Sequence, residues 1–170
     1  MTTLPDIPLP STIRSRYVDG INGLRMHVLE AGFETKGRPC VLLLHGFPEL
    51  AFSWRKVMPD LAEAGYHVIA PDQRGYGRTT GWDASYDGDL GSFRLLNLVR
   101  DALGLVSAFG YRHVDAVVGH DFEGAINGVF GIYAVDLAAF SIQYITNGGH
   151  RRHAITPSGE GSIPGGTPLA

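Results

Sequence analysis

Three short runs, Cys40-Val41-Leu42-Leu43-Leu44, Val68-Ile69-Ala70 and Val114 to Val118, decide what this chain can fold into. Each is apolar nearly throughout rather than at alternate positions, the pattern of a strand buried on both faces. The segments between them carry helical spacing. Phe52 to Ala64, with Trp54, Val57, Met58 and Leu61, predicts one helix ended by Gly65. Ser92 can cap a second, whose Phe93, Leu96, Val99, Leu103 and Val106 form an apolar stripe read as core packing, ended near Gly110. Ahead of these, Ile13 to Val18 and Leu24 to Leu29 predict an antiparallel pair reversed at Asp19-Gly20-Ile21-Asn22-Gly23. Strands alternating with helices through right-handed crossovers predict an α/β fold: a three-layer αβα sandwich around a mostly parallel sheet.

Ligands of such sheets lie beyond the carboxyl ends of the strands, and three distinctive loops fall there. His45-Gly46-Phe47-Pro48-Glu49 follows the first run, Pro71-Asp72-Gln73-Arg74-Gly75-Tyr76-Gly77-Arg78 the second, and Gly119-His120-Asp121-Phe122-Glu123-Gly124 the third. A strand that enters a helix through a very tight turn projects its apex side chain above the sheet edge, as in a nucleophile elbow. Asp121 occupies that apex. Gly119 supplies one of the small flanking residues, but Glu123 stands where the other belongs and Gly124 arrives one residue late, which predicts a distorted turn. Backbone N–H groups of Phe47 and Phe122 are the candidate donors to a developing oxyanion.

These motifs, together with Trp54, resemble the α/β-hydrolase superfamily and, within it, the epoxide hydrolases. The resemblance covers roughly Arg16 to Thr146. It implies a two-step reaction. The Asp121 carboxylate attacks an epoxide carbon to form an ester, while acidic groups, usually two cap tyrosines, protonate the opening oxygen. A histidine oriented by a carboxylate then activates water to hydrolyse the ester, with the Phe47 and Phe122 backbones holding the oxyanion. His45, Gly46, Pro48 and His120 stand on the substrate side of that site. In the family the histidine, its carboxylate and the cap come late in the chain, and no position here matches them. Tyr76, Tyr86 and Tyr133 have no cap sequence around them to assign them as acids. His45 is expected to order its loop and His120 to be structural. His150 and His153 lie among arginines, and His27, His67 and His113 have no motif around them. Haloalkane and haloacetate dehalogenases share the Asp nucleophile and stay open as an alternative, as does a non-catalytic truncated isoform or pseudoenzyme.

The remaining chain is expected to hold a helix over Ala125 to Leu137, although Gly128 and Gly131 each cost it about 1 kcal/mol relative to Ala, and a sixth strand from Phe140 to Thr146. Residues 147–170 are rich in Gly, Pro, Ser and Arg without periodicity, which predicts a disordered tail after a partial core domain at 1–146 that lacks the cap and the last strands. The abrupt loss of pattern after Thr146 reads as a frameshift, alternative splicing or an unrecognised intron. A net charge of −3 gives no electrostatic reason for nucleic-acid binding. No apolar run is long enough to span a bilayer, and the start carries no signal-like pattern, so a cytoplasmic protein is expected. Cys40, the single cysteine, reads as a packed strand residue. No cofactor or metal is expected, since no His, Cys or Asp cluster has ligand spacing. The expected partners are a small apolar epoxide-type substrate and, through an exposed sheet edge, a second copy of the chain.

Overall fold

A computed structural model describes residues 5–119 in full and the strands at 131–136, 141–146 and 149–154 by their backbone. The chain opens with a hairpin of β1 (Ile13–Ile21) and β2 (Leu24–Ala31). Its reversal is tighter than the expected five-residue turn. Asn22 and Gly23 form a two-residue loop with φ of 49° and 83°, the left-handed pair that matches the twist of the flanking strands. Next come β3 (Cys40–Leu44), a 3-10 helix (Ala51–Lys56), α1 (Met58–Glu63) and β4 (His67–Pro71). A 3-10 turn (Leu90–Phe93), α2 (Leu95–Ala108) and β5 (His113–Gly119) follow, then β6 (Gly131–Asp136), β7 (Ser141–Thr146) and β8 (Gly149–Ala154).

One sheet of order β1-β2-β4-β3-β5-β6-β7-β8 joins all the strands. Its centre, β4-β3-β5, is parallel, and the flanking pairs are antiparallel. Two cores cover its faces. Cys40 and Leu42 of β3 pack with Met26, Val28, Ile69 and with Leu105 and Val106 of α2. Val41 and Leu43, pointing the other way, pack with Leu29, Val68, Ala70, Trp54 and Met58 of α1. The αβα layering follows from that alternation. Burial, with the charge of Asp115 nearby, pushes the Cys40 thiol up to about 12, so it packs as an inert apolar residue.

Several elements differ from expectation. The first helix is split, because Pro59, in the first turn of α1, has no N–H with which to continue the hydrogen-bond ladder from the preceding 3-10 helix. The second begins at Leu95 rather than at a Ser92 cap; Asp89 caps the preceding turn by accepting from the Gly91 N–H. Its buried stripe is also rotated. Asp101, Leu105 and Val106 face the sheet, whereas Leu96 and Val99 are 61% and 41% exposed. In place of the second half of a helix over Ala125 to Leu137, Gly131–Asp136 is strand β6. Interior glycine weakens a helix, and the aromatic and β-branched Ile132, Tyr133 and Val135 favour a strand. Residues 125–130 lie outside the described residues. Within the segment expected to be an unstructured tail, Gly149–Ala154 pairs with β7 as β8; ladder hydrogen bonds use the backbone and need no apolar periodicity. Residues 155–170 lie outside the described residues.

Glu30 of β2 stitches this sheet across strands. Fully buried, it accepts from Arg14 Nε at 2.8 Å and Arg16 Nε at 2.6 Å on β1, and lies 3.1 Å from His67 Nε2 on β4. Burial alone would raise its carboxyl, but hydrogen bonds from His67 and Arg14 and attraction to both arginines bring it down to about 2. A depressed folded-state value contributes stability that is present above the unfolded value of 4.5 and is lost as pH falls toward 2. Unfolding free energies from urea titrations at pH 7 and pH 3 are expected to differ by about 2 kcal/mol through Glu30, and Glu30→Gln to remove that part of the difference.

Candidate active site

Because β3, β4 and β5 are parallel, the loops that follow them leave the same edge of the sheet. Leu44 pairs with Gly119 in register, so β5 ends level with the start of the loop at His45 and Gly46. Gly46 to Glu49 forms a turn with a cis Phe47–Pro48 peptide, closed by the Glu49 N–H donating to Gly46 O at 2.9 Å. The Phe47 ring is 61% exposed above it.

The loop after β4 holds this turn at several points. The Gln73 backbone N–H donates to His45 Nε2 at 3.0 Å, and His45 Nδ1 lies 3.0 Å from Gly46 O. Those partners assign a neutral ring with its proton on Nδ1. The Gln73 side chain donates to His45 O, and Tyr76 meets the His45 ring edge-on. Asp72 sets the entry to the 3-10 helix, accepting from the Ala51 N–H at 2.9 Å. Its other oxygen accepts from the Arg78 N–H at 3.0 Å and lies 2.8 Å from His27 Nδ1. Burial alone would raise the Asp72 carboxyl; hydrogen bonds from His27, Arg78 and Ala51 outweigh it and hold the group below the usual range. Gly77, at φ 53°, allows the closest approach, since a Cβ there would sit 2.2 Å from Asp72 Oδ2.

A second ion pair fastens the same loop to α2. Arg74 donates from Nε and Nη2 to the two oxygens of Asp101, both at 2.8 Å, and Asn22 adds a bond to Asp101 at 2.7 Å. Arg74 and Asp101 are both buried.

The structure therefore brings together His45, Gly46, Phe47 and Pro48. Asp121, Phe122, His120, Glu123 and Gly124 lie outside the described residues. Of the groups the sequence left without a role, His27 and Asp72 form a buried pair, and His67 bridges Glu30 and Tyr111. Among the described residues no group of three or more His, Cys, Asp or Glu could hold a metal ion.

A family model described as the alpha/beta hydrolase fold matches residues 39–126, more than half of the 170-residue chain. The chain belongs to that family. Within it, epoxide hydrolase A of Mycobacterium tuberculosis is 47% identical over 111 residues, covering 65% of this chain and 32% of that protein. The crystal structure of epoxide hydrolase A from Mycobacterium thermoresistibile superposes with a TM-score of 0.57 at 43% identity, over 65% of this chain and 32% of its own. Epoxide hydrolase VrEH1 from Vigna radiata gives 0.55 at 40% identity, over 69% and 34%. This α/β-hydrolase chain spans about a third of the length of the relatives it matches.

Proposed function

We propose that this α/β-hydrolase chain carries the nucleophile and oxyanion loops of an epoxide hydrolase, with Asp121 attacking the epoxide carbon and the Phe47 and Phe122 N–H groups facing the oxyanion. The observation that carries it is the register of β3 against β5. Leu44 and Gly119 are partners, so β5 ends, two residues before Asp121 in the sequence, level with the start of the loop that carries the Gly46-Phe47-Pro48 turn. Sequence identity to epoxide hydrolases supports the reaction class. Exposed Phe47 and Leu50 offer apolar surface to a small apolar epoxide. No helix among the described residues is long and apolar enough to cross a membrane. A cytoplasmic location, self-association through the open sheet edge and a core domain at 1–146, to which β8 adds an edge strand, belong to the same reading.

Glu123 in the place of a small elbow residue favours a second reading, a chain that binds without turning over. Incubation with a reactive aryl epoxide separates the two. The 170-residue chain spans about a third of its relatives' length, and the product expected from the nucleophile and oxyanion loops alone is an ester on the protein with little diol. Asp121→Asn is expected to abolish it. Sustained diol formation lost in Asp121→Asn would show a complete enzyme, and neither adduct nor diol would leave the non-catalytic reading.

A further inference from the structure

Ser15, His27 and Asp72 stand in line across β1, β2 and the loop after β4. Ser15 Oγ lies 2.8 Å from His27 Nε2, and His27 Nδ1 lies 2.8 Å from Asp72 Oδ2. An ionised Asp72 fixes the proton on Nδ1 and turns Nε2 toward the hydroxyl as an acceptor. His27 and Asp72 are 1% and 3% exposed, whereas Ser15 is exposed on the edge strand. A buried base oriented by a carboxylate and aimed at an accessible hydroxyl has the parts of an activated nucleophile.

The strand register adds an oxyanion donor. The Asp72 N–H donates to His27 O and the His27 N–H to Thr79 Oγ1, so the main chain of His27 faces away from β1. Its cross-strand partner is Tyr17, and the next pair of the same kind is Ser15 with Leu29. Both are the non-hydrogen-bonded pairs of the ladder, so the Ser15 N–H points off the open edge of the sheet. Ile13, two residues earlier, accordingly donates its N–H to Pro10 rather than to β2. The Tyr17 ring, 5.4 Å from the His27 ring, forms an apolar wall on the same face.

We propose that Ser15 is a base-activated nucleophile for acyl transfer from aryl esters, an activity that does not rest on the epoxide reading. Ser15 Oγ bonds to the ester carbonyl carbon as its proton passes to His27 Nε2, and the Ser15 N–H faces the oxyanion. The carbon–aryloxide bond breaks, the aryloxide takes the proton from Nε2, and acyl-Ser15 remains. Water then attacks that acyl carbon, again yielding a proton to Nε2, which passes it to Ser15 Oγ as the acyl–oxygen bond breaks, leaving a carboxylic acid and free Ser15.

The test is 4-nitrophenyl acetate with the full chain, reading nitrophenolate release and mapping the acetyl group. Acetyl-Ser15 is expected, with release falling to solution background in Ser15→Ala and about 100-fold in His27→Gln. In Ser15→Cys, alkylation by iodoacetamide is expected to persist well below the free-thiol range of about 8.5. That variant does not require replacement of buried His27. Absence of acetyl-Ser15 in folded protein overturns the proposal, as does equal acetylation in His27→Gln or a Ser15→Cys thiol that titrates like free cysteine.

Discussion

Asp72→Ala is expected to lower the free energy of unfolding by about 4 kcal/mol, within the range for breaking a buried, hydrogen-bonded charge. The loss has several sources. The Ala51 and Arg78 N–H groups lose their acceptor, and His27 loses the partner of its Nδ1. Asp72→Asn is expected to cost less, about 2 kcal/mol. Its oxygen can still accept from Ala51, while its NH2 faces two donors, Arg78 N–H and His27 Nδ1–H. Acid acts through the same group. The folded-state carboxyl lies below the unfolded 3.8, so its contribution is present above about pH 4 and is lost as pH falls through the folded value. Urea titrations at pH 7 check the substitutions, and a loss below about 1 kcal/mol for Asp72→Ala would contradict the role assigned to the carboxylate.

Asp101→Ala is expected to cost about 3–5 kcal/mol, because it leaves the Arg74 guanidinium buried with its paired acceptor gone. Hydrogen bonds donated to Asp101 raise Arg74 above an already high ordinary value, and without them the guanidinium still keeps its proton, so the cation cannot escape by neutralising. Burial of an unpaired charge, rather than loss of an attractive pair, is the source of the cost. The double variant Arg74→Met with Asp101→Leu is therefore expected to recover most of the stability lost by Asp101→Ala alone. Additive losses in the double variant would show that the pair's attraction itself carries the stability. Loss of Asp101 is also expected to loosen the loop holding His45, visible as faster amide exchange at Gln73.

How far the sequence revealed this arrangement depended on whether the signal was local. Cys40–Leu44, His67–Pro71 and His113–Gly119 were legible because continuous apolar runs ending in Gly or polar loops are local patterns. The hairpin was legible too, with Asn22-Gly23 marking the turn. The face of α2 was misread for a specific reason: its buried stripe includes a carboxylate, Asp101, whose partner Arg74 is 27 residues away. Hydrophobic periodicity therefore selected Leu96 and Val99, which face solvent. Asp72 was visible only as a residue in a Gly-rich loop. Its partners at His27, Ala51 and Arg78 come from a strand, a helix start and its own loop, and no sequence spacing links the first two to it. Pro59 was the one local sign that the first helix would split.

The central proposal is that Asp121 is a working nucleophile. Peptide mapping after exposure to a reactive aryl epoxide tests it most directly. One ester is expected, on Asp121, formed by the wild-type chain and absent from Asp121→Asn. An adduct elsewhere in the folded protein, with Asp121 unmodified, would contradict it.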